Sequence, residues 1–551
     1  MFKSGKLKMM LGLVMLTTML SACSGGNDGN SGNKETNSAT PTNNAGTEGS
    51  NGTKEETVDK TPVKIKWFVD GDWYKKQWDA ENVLVDKMIT DATGITVEVT
   101  SGNDEKLSAM IASGDIPDVV TMWNVIPQRK VLEKSGLVAP LDELITKYAP
   151  DFKVPQSIQD WYGNEDGHFY GLPNYFYAKE QMQEGVDSLA THTDVVARKD
   201  IMDQLGIKPE DFNTKQGTIE ALKKVKDAKI KYNGFDIIPA YFDHTNTLEF
   251  FGASPEAKDG SWQDTMRTPE SLEAFKFLNQ LYTEGLLPQD SVTLTDDQKK
   301  EKVAAGSVFA KMGSLITWDA LYQADNKAVY VPVGPMKGDA GNEWHFTPSP
   351  LSGWTLSMIS SKSKYQDRII QLFEYLSTDE SSLNVLYGPK GIAWDFDENG
   401  KVKFTEQRVK DFAADPDAAK RKYGNDSFGW LINWVPVKRT SPAPTNDFEQ
   451  LTVEHDQFFE KHVYDDLAFE ATTVQGGTTE AGIDAKIKDY RAKMTAKIIL
   501  AKNEQEVEKL FQEMPAQENK LGYQQLYDYK NKAFQDAKTK LGIKFAWPSN
   551  Q

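Results

Sequence analysis

Aromatic and polar side chains stand directly after two predicted strands in the first part of the chain. Asp70, Asp72 and Trp73 follow the first strand, and Trp123 and Asn124 follow the third. An aromatic ring offers a flat apolar surface, and carboxylate and amide groups form hydrogen bonds beside it. This combination is typical of a site for a small ligand. The alternative for the two aspartates is a solvated turn that caps the next helix, and the alternative for Trp123 is packing between parts of the protein.

The elements that must position these residues alternate between strand and helix. Apolar periodicity predicts strands at residues 63–69, 94–99 and 118–123, separated by helices at 77–90 and 107–113. Such alternation implies parallel strands with right-handed crossovers, and ligands bind these sheets beyond the carboxyl ends of the strands. The two groups of side chains are therefore expected at one edge of one sheet.

The only cysteine of the chain, Cys23, ends an apolar run that follows three lysines. The run is of the length of an export-signal core and is too short to cross a bilayer as a helix. Its end, LSAC at residues 20–23, resembles the lipobox of bacterial lipoproteins, which implies cleavage after residue 22 and lipid attachment to Cys23. Residues 23–60 then form the lipidated cysteine and a disordered polar tether. The alternative is an ordinary secreted protein with an unmodified cysteine.

Composition excludes several kinds of partner. The chain of 551 residues carries 81 acidic and 63 basic residues, a formal net charge of −18, which argues against nucleic acid and against contact of the folded part with anionic lipid. Arginine is scarce, which disfavours a site that clamps several carboxylates or phosphates. The membrane is therefore expected to be reached only through the lipid on Cys23.

Four short segments carry a family resemblance in their order along the chain. They are SGDIPDVV at 113–120, GHFYGLP at 167–173, GSVFAKM at 306–312 and GWTLSMIS at 353–360. Together they resemble the extracellular solute-binding proteins (family 1) of ABC sugar importers, and within them the large lipoprotein branch of Bacillus- and Paenibacillus-like bacteria. Each segment alone is weakly specific, but the ordered set is typical of the family.

The resemblance implies an α/β fold of the two-lobe periplasmic-binding-protein type (type II), with a cleft between the lobes and a hinge. It assigns residues 61–178 and 334–377 to the first lobe, and residues 179–333 and 378–551 to the second. The implied function is capture of an oligosaccharide and its delivery to ABC permease subunits at the extracellular face of the membrane. The protein would be a monomer without a cofactor and would not be an enzyme.

A sugar has an apolar face and a rim of hydroxyls, so its site needs aromatic platforms and fixed polar groups. The resemblance implies that Trp123 and Trp318 stack on sugar rings. The remaining candidates are aromatic or polar residues near predicted crossings and strand ends: Asn124, Asp319, Asp70, Asp72, Trp73, Tyr175, Tyr177, Trp354, Tyr241 and Trp394. For each of the aromatic residues, packing in the protein interior is the alternative.

Two patterns suggest metal sites, and both have simpler interpretations. Asp395, Asp397, Asn399 and Glu406 fit the calcium-loop spacing, but the flanking residues read as strands, and Asn399-Gly400 favours a β-hairpin. His455 and His462 fall on one predicted helix about 10 Å apart, too far for one ion, and are interpreted as surface histidines. No metal site is therefore predicted.

Two other functions compete with a solute receptor. A surface glycoside hydrolase or lyase would need two carboxylates at a fixed separation, and 81 acidic residues cannot exclude such a pair. A surface adhesin is the third class. The three differ in a simple assay, because a receptor binds a sugar without changing it, an enzyme consumes it, and an adhesin binds no small glycan.

Overall fold

Two mixed β-sheets organise the fold. The structure is a computed structural model that describes residues 59–177, 193–314, 319–334, 336–348, 350–424, 431–432 and 440–551. The strands in this part of the chain are β1 Val63–Asp70, β2 Ile95–Gly102, β3 Val119–Trp123, β4 Gly171–Pro173, β5 Thr193–Arg198, β6 Lys231–Tyr232, β7 Phe235–Asp236, β8 Ile238–Tyr241, β9 Val308–Ser314, β10 Tyr330–Pro332, β11 Thr355–Ile359, β12 Trp394–Phe396 and β13 Val402–Phe404.

Helices cover both sheets and make up most of the C-terminal third. They are α1 Leu84–Thr93, α2 Asp104–Ser113, α3 Pro127–Ser135, α4 Leu141–Tyr148, α5 Gln156–Tyr162, α6 Lys199–Leu205, α7 Lys215–Ala228, α8 His244–Phe250, α9 Pro269–Thr283, α10 Asp296–Ala304, α11 Asp319–Ala324, α12 Gln366–Leu376, α13 Asp379–Tyr387, α14 Glu406–Ala414, α15 Pro416–Tyr423, α16 Asp447–Glu460, α17 Leu467–Glu470, α18 Thr479–Ile499, α19 Glu504–Lys520 and α20 Tyr523–Leu541. Among the described residues, none of these helices has the length and apolar character needed to cross a membrane.

The first sheet has the strand order β2-β1-β3-β11-β4. β1 pairs in parallel with β2 and with β3, which confirms the parallel pairing that the sequence predicts. β11 then pairs antiparallel with both β3 and β4, with Thr355 opposite Trp123. The sheet is therefore mixed, and its last two strands bring distant parts of the chain to the edge where β3 ends.

The first helix is shorter than its pattern predicts, beginning at Leu84 rather than at residue 77. The Asp79 carboxylate accepts hydrogen bonds from the main-chain N–H groups of Glu81 and Asn82. These local bonds stabilise a turn in place of the first helical turn. Trp78 precedes this turn and packs against the core of the first sheet.

The second sheet has the order β10-β5-β9-β8. β5 pairs antiparallel with β9 and β10, whereas β8 and β9 are parallel. Each sheet has its own apolar core: Trp67, Val120 and Met358 are fully buried in the first, and Ala197, Phe275 and Phe309 in the second. The two cores match the two-lobe organisation expected from the sequence.

The chain crosses between the cores at positions that differ from the expected ones. Trp344 and Phe346 still pack in the second core, and the first core resumes at Leu351 rather than near residue 334. Val385, Leu431 and Ile432 also belong to the first core, so the beginning of the part expected in the second lobe from residue 378 packs on the first. The reason is that β12, β13, α14 and α15 form a satellite core against α1. The later helices of this part keep to the second core, as Phe459 and Val507 show.

The C-terminal segment is fixed by a buried ion pair. Lys538 Nζ lies 2.9 Å from Glu256 Oε1, and both side chains are almost completely buried. The other carboxylate oxygen of Glu256 accepts hydrogen bonds from the main-chain N–H groups of Ala546 and Trp547. The last residues of the chain are thus held against a loop of the second lobe.

His455 differs from its sequence interpretation. It lies on α16 but is buried, with Nε2 3.3 Å from Asp194 Oδ2 on β5. Burial opposes its charge, but the hydrogen bonds to Asp194 and Asp456 prevail and raise the pKa of His455 to about 9. His462 lies beyond the end of α16 and stacks on Trp344. The interpretation as two surface histidines on one helix is wrong, because α16 packs its His455 face on the second sheet.

Candidate functional site

A cavity of about 450 Å³ lies beyond the carboxyl end of β3. Three tryptophans from three chain segments line it: Trp123 at the end of β3, Trp161 on α5, and Trp354 immediately before β11. The remaining lining comes from the turn after β3, from the start of α3, from the turn before β11, and from the end of α17 with the segment that follows it. Aromatic surface and polar main chain therefore meet in one concave site of the size of a small glycan.

The pairing of β11 with β3 places two of the predicted aromatic residues together. Thr355 is opposite Trp123 in the register, and the main-chain N–H of Asn124 donates to the carbonyl oxygen of Trp354 at 2.8 Å. The main-chain N–H of Trp354 in turn donates to Asn174 Oδ1 at 3.0 Å. Both rings are half-buried, so each keeps an accessible surface at the cavity.

The Asn124 side chain is engaged with protein groups. Its Nδ2 donates to the Tyr162 hydroxyl at 2.7 Å and to Ser352 Oγ at 3.2 Å, and its Oδ1 accepts from Arg129 Nη1 at 2.7 Å. The residue is buried. In this structure Asn124 therefore holds the walls of the cavity together and does not present its amide to a ligand.

Gly353 allows the turn before β11 to approach the main chain of Tyr175 closely. Gly353 has φ of +89°, and a Cβ there would stand 2.5 Å from the carbonyl oxygen of Tyr175. The close approach brings Trp354 into edge contact with Tyr175, at 5.6 Å between ring centroids, and Tyr175 contacts Tyr177 at 5.3 Å. Tyr175 is buried behind the other two rings, whereas Tyr177 is half-buried.

Glu470 of α17 fixes the turn that carries Trp354. Its carboxylate accepts hydrogen bonds from the main-chain N–H groups of Leu351 and Ser352 and from Ser352 Oγ. Burial raises the pKa of Glu470. Burial and the negative charge of Glu470 together raise the pKa of the neighbouring Asp466 to about 9. The cavity thus depends on a residue from the C-terminal third of the chain.

The candidates at and after the end of β1 are not part of the lining of this cavity. Asp70 is buried, and burial together with the adjacent Asp104 raises the pKa of its carboxyl to about 7. A hydrogen bond from the main-chain N–H of Trp123 opposes this shift. Asp72 is exposed and Trp73 is 52% exposed, so Trp73 is an open aromatic surface near the end of β1.

The candidates from the second lobe are less well defined. Tyr241 ends β8 and is buried, and its hydroxyl donates to Asp290 Oδ1 at 3.4 Å. The space beside it, next to Asp243 and Lys311, is only about 20 Å³. Trp318 lies outside the described residues, and Asp319 is the first residue of α11.

Trp394 is placed in a separate core. Its ring is fully buried among residues of the β12–β13 hairpin and α15, and its Nε1 donates to the carbonyl oxygen of Gly388 at 2.7 Å. The ring has no accessible surface for a ligand. A pattern of aromatic residues beside turns cannot distinguish such a core ring from a platform.

The loop with calcium-like spacing forms the predicted hairpin. β12 pairs antiparallel with β13, and Asp397 Oδ1 accepts hydrogen bonds from the main-chain N–H groups of Asn399 and Lys401, each at 2.8 Å. Glu406 begins α14, and its carboxylate pairs with Lys410 at 3.5 Å. Within the described residues, no group of three or more His, Cys, Asp or Glu side chains is arranged to hold a metal ion.

Sequence reasoning missed several residues of the cavity, among them Trp161, Arg129 and Lys130. Arg129 and Lys130 follow Pro127 at the start of α3, directly after the predicted Trp123–Asn124 pair, and that proximity was a usable signal. Trp161 had no such signal, because only the tertiary packing of α5 brings it to the end of β3.

Comparisons with known proteins give a family and a fold. Residues 80–382 match the family of bacterial extracellular solute-binding proteins. The polygalacturonan/rhamnogalacturonan-binding protein YtcQ of Bacillus subtilis is 20% identical over 465 residues, covering 81% of this chain and 88% of YtcQ.

Two solved structures are similar over most of the chain. An HMO-binding solute-binding protein associated with an ABC transporter of Bifidobacterium longum infantis has a TM-score of 0.64 at 18% identity, covering 86% of this chain and 99% of that one. An EF-hand mutant of the S. pneumoniae ABC-transporter substrate-binding protein FusA, in complex with fructo-nystose, has a TM-score of 0.63 at 16% identity, covering 87% of this chain and all of FusA. These similarities confirm the predicted fold class.

Proposed function

Since the chain belongs to the bacterial extracellular solute-binding proteins, we propose that it captures an oligosaccharide between its two lobes and delivers it to the permease subunits of an ABC importer. Proteins of this family bind their solute and do not transform it, so the chain is a binding protein and not a glycoside hydrolase or lyase. Transport energy would then come from a separate ATPase.

The observation that carries the proposal is the wall of three tryptophans around one cavity. Trp123, Trp161 and Trp354 offer apolar ring surface, and the neighbouring turns offer main-chain groups for hydroxyls. Stacking on such rings and hydrogen bonding at their edges are what a pyranose or furanose ring requires. The similar proteins support the same ligand class. YtcQ and the HMO-binding protein are described as binding carbohydrates, and FusA was solved in complex with fructo-nystose.

We further propose that Trp123, Trp161 and Trp354 form the first-lobe side of the site, with Tyr177 and the exposed Trp73 at its margin. Tyr241, Trp318 and Asp319 are proposed for the second-lobe side. Sugar would favour the closed arrangement of the lobes by binding it more tightly than the open one. Asn124 and Tyr175 would support the rings and would not contact the sugar.

Calorimetric titration with a panel of oligosaccharides tests the proposal. We expect saturable one-to-one binding of at least one member, with the sugar recovered unchanged after hours of incubation. A sugar that is shortened or modified would instead indicate an enzyme. Failure of every member to bind would favour an adhesin and would contradict the proposed receptor.

Attachment of the protein to the extracellular face of the membrane through Cys23 is part of the proposal. The support is the LSAC sequence that ends the apolar run and the polar segment that follows it. Mass spectrometry of the mature N terminus is the test. Diacylglycerol on Cys23 is expected, and a mature protein with an unmodified Cys23 would contradict the anchor.

A further inference from the structure

We propose that Arg129, Lys130 and Lys540 form a subsite for a sugar carboxylate at the edge of the tryptophan-lined cavity, so that the ligand is an acidic oligosaccharide containing uronic acid. The inference rests on the proposed function and names its substrate class. Arginine is scarce and the net charge is −18, but one carboxylate needs only a local group of cations.

Two of the three cations share a single carboxylate. Arg129 Nε lies 2.8 Å from Glu133 Oε1, and Lys130 Nζ lies 2.6 Å from Glu133 Oε2. The Glu133 side chain is almost fully buried, whereas that of Lys130 is 30% exposed. The single negative charge of Glu133 is thus shared by Arg129 and Lys130, which leaves a net positive charge beside the cavities.

The cations keep donors that no described residue uses. Arg129 donates through Nε and Nη1, which leaves Nη2 without a protein acceptor in the part of the chain that is described. Lys130 donates to Glu133 and to Asn164 Oδ1 at 3.0 Å, and so retains a third N–H. Lys540 donates to the carbonyl oxygen of Trp161 at 3.1 Å and, among described residues, forms no ion pair. A planar carboxylate is a fitting acceptor for such donors.

The three cations repel one another. Burial lowers the pKa of Lys130, and the nearby Arg129 lowers it further. Burial also lowers the pKa of Lys540, and the nearby Asp160 opposes this shift. Lys130 and Arg129 lower the pKa of Lys540 further, by smaller amounts. A bound carboxylate would relieve this repulsion, which makes the site more favourable for an anionic ligand than for a neutral one.

The other charges around the cluster do not neutralise it fully. Lys134 adds a further positive charge near Lys130. Of the carboxylates, Glu143, Glu165 and Asp166 line the cavity that adjoins Lys130, and Asp142 and Asp160 line the cavity of Lys540. Glu470 is bound to the main chain of Leu351 and Ser352. Among the described residues, none of these carboxylates forms an ion pair with the three cations.

The cluster also lies where cavities meet. Lys130 lines both the tryptophan-lined cavity and an adjoining cavity of about 1030 Å³, which Gln475 lines as well. Lys540 and Asn164 line a third cavity, of about 490 Å³. A sugar ring stacked on Trp161 could therefore direct its carboxylate to Lys130, while the rest of the oligosaccharide extends into the cavity of about 1030 Å³.

Calorimetry with matched pairs of ligands tests the inference. The probes are trigalacturonate, trimannuronate and a rhamnogalacturonan hexasaccharide, each beside its carboxyl-reduced counterpart, together with fructo-nystose as a neutral sugar and a sulfated galactan trisaccharide. The proteins are the wild type, Lys130→Met and Lys540→Met. Lys493→Met is the control, because Lys493 is exposed and pairs with the exposed Asp489.

We expect at least one acidic probe to bind about tenfold more tightly than its reduced counterpart, because charge-assisted hydrogen bonds are stronger than neutral ones. This preference should fall severalfold in Lys130→Met and Lys540→Met, and added salt should reduce it. The Lys493→Met control should keep it. Unchanged melting temperatures would show that the lysine variants remain folded.

The outcomes separate the two proposals. Tight binding of a neutral sugar without a preference for any acid would overturn the carboxylate subsite and leave the receptor function intact. So would a preference for the sulfated probe alone, or an acid preference that both lysine variants retain. Failure of every probe to bind would contradict both proposals.

Discussion

The main-chain N–H of Asn124 donates to the carbonyl oxygen of Trp354 at 2.8 Å. This bond extends the pairing of β3 with β11 by one position beyond the last strand residue, Trp123. As a result Trp123 and Trp354, which are far apart in the sequence, line the same cavity. Strand pairing therefore brings two of the three tryptophans together, and the loss of either ring should be measurable in binding.

Replacement of either tryptophan should weaken sugar binding. In Trp123→Ala and Trp354→Ala the stacking surface is lost, and we expect the affinity for the sugar identified in the panel to fall by about 1–2 kcal/mol. Titration calorimetry gives the change. Phe235→Ala is the control, because Phe235 is 70% exposed on the β6–β7 hairpin and away from the cavity. If both tryptophan variants bind like the wild type, the site is misplaced.

Asn124 should affect stability more than recognition. Asn124→Ala removes the hydrogen bonds to Tyr162 and Ser352 and leaves Arg129 Nη1 without its main acceptor. The expected loss is about 2–3 kcal/mol in the free energy of unfolding, measured by denaturant titration. Asn326→Ala, at an exposed turn, should change it by less than about 0.5 kcal/mol. Equal stabilities of the two variants would contradict the supporting role of Asn124.

The buried pair of Lys538 and Glu256 should contribute strongly to the attachment of the C terminus. Lys538→Met leaves the buried Glu256 carboxylate without its cation, so we expect a loss of about 3–5 kcal/mol and faster hydrogen exchange in residues 542–551. The matched control on the same helix is Lys532→Met, whose ion pair with Asp536 is exposed and should contribute about 0–1 kcal/mol.

The double variant Lys538→Met/Glu256→Gln tests the same mechanism. Because it also removes the uncompensated charge, it should be more stable than Lys538→Met alone. A double variant that is less stable than Lys538→Met would show that the carboxylate contributes mainly through its bonds to Ala546 and Trp547.

The pair of His455 and Asp194 predicts a pH dependence of stability. The pKa of His455 is about 9 in the folded protein and near 6.5 when unfolded, so the charged pair stabilises fully below pH 6.5 and this contribution is lost as the pH rises through 9. Between pH 6 and pH 9.5 the wild type should lose roughly 2–3 kcal/mol more than His455→Gln, which cannot titrate. Denaturant titrations that remain parallel over this range would contradict the assignment.

Calcium should not bind at the β12–β13 hairpin. Asp397 already accepts two main-chain N–H groups, and Glu406 points to Lys410 on α14. We expect no saturable heat when calcium is titrated to about 10 mM, which is above the weakest EF-hand dissociation constants of about 1 mM. In contrast, Asp397→Ala should lower the midpoint of denaturation, because the turn loses the two hydrogen bonds that Asp397 accepts. Micromolar calcium binding that Asp397→Ala abolishes would contradict this interpretation.

The parts of the fold that sequence predicted well are those with local causes. The strands β1 to β3 follow from alternation and apolar runs, and the hairpin follows from Asn399-Gly400. The family resemblance predicted the two lobes but not their boundaries. Leu431 and Ile432, for example, pack in the first core although they lie far along the chain from the strands of the first sheet.

The candidate site was only partly predictable for the same reason. Trp123 follows a strand end, which is a local signal, but Trp161 and Lys540 reach the cavity region through tertiary packing of helices. Trp394 had the same local context as a platform and is a core residue. Whether a ring is buried or exposed depends on which helices and strands pack against it. The spacing of residues in a single sequence does not show this.

The contact of Glu470 with Leu351 and Ser352 bears on how such receptors can be recombined. A chimaera that exchanges only the contiguous first-lobe segments would separate the turn before Trp354 from the helix that anchors it, and would lose its specificity together with its binding wall. A transfer of the ligand preference of this protein to another scaffold will therefore have to include α17 together with the end of β3 and the turn before β11.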